Sequence, residues 1–452
     1  MTKVDRQALA ALREREAARF LATHPRSAAL AAEDAQHFLF GVPLHWMRDW
    51  PTPAVLHVER AQGHRLWCAD GHEYLDFCLG DTGAMFGHSP APVARAIAGQ
   101  AAHGLTAMLP STLTAEVGRR LAQCFRLPRW QITLSASDAN RFVLRWARAI
   151  THRPRVLVFD GCYHGTVDDT FVSLENGRTT ASPGLLGQVA DLMQTAVACE
   201  FNDLASVEAA LARGDVAAIL TEPVMTNSCM VLPEAGFQDG LRQLSLKYGA
   251  LLIMDETHTI SSGLGGYTRV HSLRPDIFVV GKCVAGGMPT AVWGLTEDTA
   301  KRYHQADAMR EPGRTGMGTT LSANPMQFAC LVATLSQVMT PENYAHMEKL
   351  ADRLSHGLAR VINRHKAPWH VVRVGARVEF ICAPGPLKNG AEAAFAHQPQ
   401  VEAAIHTGLI NRGSLIAPFH NMMLISPATK KAQVDHLIAN FDAIMTELFK
   451  AA

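Results

Sequence analysis

Four short runs built almost wholly from apolar residues constrain this chain more than any other feature. They are Arg155-Val156-Leu157-Val158-Phe159, Ala217-Ala218-Ile219-Leu220, Leu251-Leu252-Ile253-Met254 and Ile277-Phe278-Val279-Val280. A strand with one wet face alternates apolar and polar residues, so runs without alternation predict strands covered on both faces. The amphipathic stretches over residues 204–213 and 238–248 are long enough to return as crossover helices. Such alternation builds a mainly parallel α/β sheet. At 452 residues, 48% of them hydrophobic, the chain can bury a large core and form more than one lobe.

Each run exits into polar or glycine-rich residues: Asp160-Gly161, Glu222-Pro223, Asp255-Glu256 and Gly281-Lys282. In an open α/β sheet, ligands collect at those carboxyl ends. Two of the exits carry complementary chemistry. A lysine amine that condenses with an aldehyde and a carboxylate that holds a protonated pyridine nitrogen are what pyridoxal 5′-phosphate needs most from a protein. Lys282, partly buried after its strand, suits the amine, and once freed it serves as a base between the substrate's α-carbon and the cofactor. Asp255 taken alone reads as a strand-end cap; with Lys282 downstream it reads as the ring's counter-charge. Ser135-Ala136-Ser137 lies between a strand-like and a helix-like segment, where a phosphate cradle and a plain N-cap fit the composition equally well.

Around this core, residues 56–77 read as a hairpin about the Asp70-Gly71 turn. A long helix over 342–363, strands near 371–382 and a final helix from about Lys431 make a C-terminal α+β portion, with 383–400 expected as a surface loop. The expected division is 1–77 for the N-terminal segment and hairpin of a small domain, 78–338 for a large cofactor-binding domain, and 339–452 for the rest of the small domain.

The formal net charge of +1, from 42 basic and 41 acidic residues, gives no sequence-wide reason to expect nucleic acid or an anionic membrane. No run reaches the roughly 18 apolar residues of a membrane span, and residues 1–26 lack the apolar core of a secretion signal. The nine cysteines stand singly, which reads as reduced thiols in a cytoplasmic enzyme. His88, His164, His258 and His271 form no helical ligand pair, so they are taken as packing or hydrogen-bonding residues and no metal is expected. Gly263-Leu264-Gly265-Gly266 lacks the spacing of a dinucleotide loop and is expected to be a flexible active-site loop.

The ordered motifs Asp70-Gly71, Gly87-His88-Ser89-Pro90, Ser135-Ala136-Ser137-Asp138-Ala139, Gly161-Cys162-Tyr163-His164-Gly165, Glu222-Pro223-Val224, Asp255-Glu256-Thr257-His258-Thr259, Gly281-Lys282 and Ser322-Ala323-Asn324-Pro325 carry a resemblance. From about Gly41 onward the chain resembles the class III aminotransferases, pyridoxal-phosphate enzymes of fold type I. It is most similar to the branch holding glutamate-1-semialdehyde aminomutase and the amine and β-amino-acid transaminases. The resemblance implies a homodimer with active sites at the subunit interface. It also implies roles: Lys282 as the catalytic lysine, Asp255 on the ring nitrogen, Tyr163 and Thr257 on the two ring faces, Glu222 among the cofactor-binding residues, and Ser135, Ala136 and Ser137 around the phosphate. Thr320 matches the threonine that reaches the neighbouring subunit's phosphate. The family usually has Ser-Gly-Thr and then Glu at the phosphate segment, so Ala136 and Asp138 are departures, as is Thr257 for the usual valine.

The substrate side departs further. The stretch Leu415-Ile416-Ala417-Pro418-Phe419-His420-Asn421-Met422-Met423 holds neither the carboxylate-gripping arginine of many relatives nor the aminomutases' glutamate. Trp46, Arg48, Asp81 and Asn227 are the candidate substrate residues. Arg48 fits a substrate carboxylate and a surface pair with Asp49 equally; Trp46 offers an apolar wall. These features favour a transaminase that takes an amino group from a bulky or aryl-bearing amine and passes it to a keto acid, aldehyde or ketone by a ping-pong route. Glutamate-1-semialdehyde 2,1-aminomutase is the alternative, and a non-catalytic cofactor-binding regulator is a remoter one, since the residues before Gly41 form no DNA-binding motif.

Overall fold

A computed structural model describes residues 4–449. Their contacts form two units, one from residues 4–90, 342–386 and 396–449, the other from residues 91–341 and 387–395.

The larger unit is built on a seven-stranded sheet. Its strands are β1 (Arg129–Thr133), β2 (Arg155–Phe159), β3 (Ala196–Cys199), β4 (Val216–Thr221), β5 (Leu251–Asp255), β6 (Ile277–Val280) and β7 (Ala291–Leu295). They lie in the order β1-β7-β6-β5-β4-β2-β3. β7 runs antiparallel to both neighbours and the remaining pairings are parallel. Every residue of β4, β5, β6 and β7 is buried, which is why these segments show no alternation in sequence. On one face Val156, Val158, Leu220, Ile253 and Val279 join a single apolar cluster with Val143 and Ala147 of α1 (Ala136–Thr151). Each such fully buried aliphatic side chain contributes about 1.5–3 kcal/mol of transfer free energy.

Register fixes where these strands end. Met254 pairs with Thr221, and Asp255 with Val279, so the exits of β4, β5 and β6 fall side by side. The residues at and just past them, Glu222, Asp255 to His258, and Lys282, therefore share one end of the sheet.

The other unit is α+β. Val58–Gln62, Arg65–Cys68 and Glu73–Asp76 form an antiparallel meander, and Ser414–Leu415 joins it in parallel. A second sheet pairs His370–Val374, Arg377–Ile381 and Met422–Leu424. The helix Pro341–Arg364 buries Tyr344, Met347, Leu350, Ala351, Leu354, Leu358 and Val361, a stripe at three- and four-residue spacing.

Two expectations are corrected. Residues 383–400 are not a plain loop, because they contain the helix Gly390–Ala396, and residues 387–395 belong to the larger unit. Asn389 starts that alanine-rich helix by accepting from Glu392 N at 2.9 Å, and Asn202 Nδ2 ties Lys388 O at 2.8 Å. Residues 263–266 are not loop throughout, because Gly266 opens the short helix Gly266–Val270. They form a packed turn that brings the N–H groups of Tyr267 and Thr268 onto the buried Glu256 carboxylate. Among the described residues no helix is long and apolar enough to cross a membrane, and no group of three or more potential ligands is placed to hold a metal ion. All nine cysteines are free.

Candidate active site

Asp255 is the last residue of β5 and is 4% exposed. Burying an isolated carboxylate is costly, so its partners decide its state. Oδ2 accepts from Asn140 Nδ2 at 2.8 Å and from His164 Nδ1 at 3.0 Å. Oδ1 accepts from Thr257 N at 3.1 Å and from Thr257 Oγ1 at 2.6 Å. Burial alone would push this carboxyl up, but the His164 imidazole, Thr257 and Asn140 outweigh it and hold Asp255 below the usual carboxylate range. The Thr257 hydroxyl, unusual for the family, thus finds its partner on Asp255, and its methyl is left to pack.

Lys282 follows β6 and adopts φ 50°, the left-handed region that costs a non-glycine residue about 1–3 kcal/mol and tends to mark functional positions. It is half-buried, and its Nζ lies 2.5 Å from His258 Nε2. His258 Nδ1 lies 2.7 Å from Thr226 Oγ1, whose hydroxyl donates to Glu222 Oε2. Glu222 also takes the Tyr163 N–H on Oε1 at 3.3 Å. Burial pushes the Glu222 carboxyl up, partly offset by His164 and Thr226.

The phosphate segment opens α1. Ser135 is the N-cap and accepts from Asp138 N at 3.2 Å, while Ser137 Oγ accepts from Thr166 N at 3.0 Å. Ser135 gives its hydroxyl proton to Asp138 Oδ2, whereas Ser137 only accepts, so the Ser137 hydroxyl and the backbone N–H groups of the first turn, Ala136 and Ser137 included, are the donors this end can give an anion. Gly165, at φ 82°, lies so close that a Cβ there would overlap Ser137. The segment of Gly161 to Gly165 can approach the helix end only because this position lacks a side chain.

Tyr163 is 43% exposed, and with Asn227 it lines a cavity of about 190 Å³ that also includes His164 and Ser228. Thr320 is exposed in the turn closed by Ser322 N onto Thr319 O at 3.0 Å. Trp46, Arg48 and Asp81 belong to the other unit. Trp46 meets Phe419 edge-on at 5.5 Å; Arg48 stacks over Phe40 at 4.8 Å and faces Asp49 at 3.6 Å, the surface pairing already open in the sequence. Asp81 Oδ1 is 3.9 Å from Nη2 of Arg377, a fully buried residue that also donates to Thr82 Oγ1.

Sequence reasoning passed over Asn140, Thr226 and Arg377, and placed His164 and His258 only as packing or hydrogen-bonding groups. A partial signal existed for Asn140, since it interrupts the apolar face of α1 between Ala139 and Phe142. Nothing local marked Thr226, which meets Glu222 from its own strand exit and acquires His258 from the exit of β5.

This arrangement fits pyridoxal 5′-phosphate. Asp255 is a buried, ionised carboxylate whose donors are two uncharged side chains, a backbone N–H and one imidazole, so a protonated ring nitrogen supplies a matching charge. The side-chain-free approach of Gly165 to the start of α1 leaves backbone donors for a phosphate, Lys282 supplies the amine, and Tyr163 has an exposed ring.

The family description aminotransferase class-III matches residues 47–445. A glutamate-1-semialdehyde 2,1-aminomutase of Sorangium cellulosum (strain So ce56) is 33% identical over 391 residues, covering 85% of this chain and 87% of that protein. The crystal structure of a glutamate-1-semialdehyde-aminomutase from Pseudomonas aeruginosa PAO1 aligns with a TM-score of 0.96 at 46% identity, over 98% of this chain and 99% of that one. A lysine-to-alanine form of that aminomutase, solved in complex with PMP, aligns equally well. A β-phenylalanine aminotransferase from Variovorax paradoxus shares the fold, with a TM-score of 0.84 at 23% identity over 97% and 96% of the two chains. The chain therefore belongs to the class III aminotransferases, enzymes of fold type I that depend on pyridoxal 5′-phosphate.

Proposed function

We propose that this enzyme moves an amino group within one small substrate, as glutamate-1-semialdehyde 2,1-aminomutase does. The observation that supports it most is the likeness to the Pseudomonas aeruginosa aminomutase, 46% identical along nearly the whole of both chains. This reverses the order of preference drawn from the substrate-side residues alone. Those departures, from Trp46 and Arg48 to His420-Asn421 after Ala417-Pro418-Phe419, touch a few positions, whereas the likeness runs along nearly the whole of both chains.

When bound, the cofactor supplies an electron sink that lets a proton leave the carbon bearing the substrate's nitrogen. Lys282 takes that proton on its amine and returns it at a neighbouring atom. Asp255, kept ionised by His164, Asn140 and Thr257, holds the ring nitrogen protonated. The start of α1 receives the phosphate, Tyr163 gives the ring a stacking face, and Thr257 packs its methyl against the other. Thr320, exposed on one protomer, serves the site of its partner in a homodimer.

A second reading, transfer from an aryl-bearing amine to a separate keto acid, is favoured by the edge-to-face pair of Trp46 and Phe419, both of which stay partly exposed. Purified holoenzyme given glutamate-1-semialdehyde without any acceptor should form 5-aminolevulinate. If it forms none, yet converts 1-phenylethylamine and pyruvate to acetophenone and alanine, the second reading replaces the first; if it does neither, both fall.

A further inference from the structure

Glu222, Thr226, His258 and Lys282 come from the exits of three adjacent strands and form one unbroken line of hydrogen bonds. Glu222, Thr226 and His258 are 3%, 0% and 6% exposed. The line has a direction. Thr226 has a single hydroxyl proton and gives it to Glu222 Oε2, so its oxygen must accept from His258 Nδ1–H. Neutral His258 then carries its proton on Nδ1, and its bare Nε2 faces the Lys282 amine as an acceptor.

We propose that Glu222, Thr226 and His258 act through Lys282 as a buried proton relay that sets the lysine as a free amine without solvent. The step balances within the chain. Lys282 passes one proton from its ammonium to His258 Nε2, His258 Nδ1–H passes to the Thr226 oxygen, and the Thr226 hydroxyl proton passes to Glu222. Ammonium and carboxylate become amine and carboxylic acid, and no proton leaves. Reversal returns it. In the shifted state every bond on the line points the other way, with His258 Nε2–H donating to the lysine nitrogen.

The surroundings suit a carboxyl that accepts a proton. Burial raises Glu222, Asp255 raises it further, and His164 and Thr226 act in the opposite sense, while the half-buried Cys162 thiol beside it is itself pushed well above its ordinary value. The opposing charges sit on β5 and on the segment after β2, so Glu222 lies between elements rather than in water.

The inference rests on Lys282 as the reacting lysine, not on which substrate is turned over, so it is tested on cofactor-free protein. Competitive acetylation at pH 7, read by peptide mass spectrometry against exposed Lys349, gives the reactivity of Lys282. Thr226→Val cuts the line at its middle in a nearly isosteric way, and Glu222→Gln removes the acceptor. Both should slow Lys282 acetylation about tenfold or more, while Thr226→Ser retains the native rate. A simple charge effect predicts the opposite sign for Glu222→Gln, because losing a nearby carboxylate lowers the lysine's affinity for its proton and speeds labelling. Unchanged or faster labelling in both variants overturns the relay. If Thr226→Val does not fold, His258→Gln is read by the same criterion. Borohydride trapping of the cofactor onto Lys282 separately tests the lysine's assignment, so failure of the relay and failure of the site are told apart.

Discussion

Replacing Asn140 by leucine tests whether Asp255 is held as a buried anion by its neighbours. The carboxylate has about four acceptor positions, and its four donors are Asn140, His164 and the two groups of Thr257. Removing a hydrogen bond to a charged group costs about 1.5–3 kcal/mol. Asp255 is 4% exposed, so water has little access to replace the lost donor, and about 2–3 kcal/mol is the expected loss for Asn140→Leu. Leucine keeps the branched shape of asparagine but is larger, so it leaves no cavity, and the cost of fitting its methyl groups is common to both backgrounds compared below. At about 2–4 °C per kcal/mol for a unit of this size, the melting point of cofactor-free protein should fall by about 5–10 °C. The decisive measurement is the same substitution in an Asp255→Asn background. With the charge gone, Asn140→Leu should cost less than about 1 kcal/mol, a coupling of about 2 kcal/mol. If thermal melts of the four proteins show the two losses adding within about 0.5 kcal/mol, the charge is not what Asn140 serves and the account of Asp255 fails.

Three further outcomes follow from single features. His406 is buried and bonded to Asn421, and burial brings its imidazole down to about 4; Glu402 and Glu379 oppose that shift and His420 adds to it. The unfolded imidazole binds a proton near 6.5 and the folded one only near 4, so stability is intact above 6.5 and is lost as pH falls through that window, by about 2–3 kcal/mol at pH 4.5. Urea denaturation of His406→Gln should lack that share of the acid loss, and an identical acid limb would contradict it. Gly165→Ala places a Cβ onto Ser137 at φ 82°, so equilibrium dialysis should show cofactor affinity lowered by about tenfold or more, for a strain above 1.4 kcal/mol; unchanged affinity would separate Gly165 from the phosphate site. Lys282→Ala and Thr320→Ala protein, each impaired alone, should recover about a quarter of native turnover when unfolded, mixed and refolded together, since half of the dimers are mixed and each holds one intact site. No recovery above the separate preparations would place Thr320 outside the partner's site.

The covered strands were legible because a buried parallel sheet imposes unbroken apolar runs, and Arg155–Phe159 and Ile277–Val280 occupy the residues read from the sequence. The strand-end placement of Lys282 and Asp255 was legible because each stands where an apolar run ends, a position that local order alone defines. The long helix over Pro341–Arg364 was readable from its stripe in the same way. What the sequence could not carry is everything that depends on register. Whether Thr221 lies beside Met254, and Asp255 beside Val279, is settled by hydrogen bonding between strands dozens of residues apart, and only that alignment brings Glu222, Thr226, His258 and Lys282 into one line. The same holds for Asn140 and His164 on Asp255, and for Arg377 beside Asp81, where a polar residue's partners come from other elements. Periodicity therefore determined which segments are buried and where the reactive groups emerge. Tertiary packing alone decided which neighbours set their charge, because burial removes water and leaves each polar atom to whichever donor or acceptor the fold places within reach.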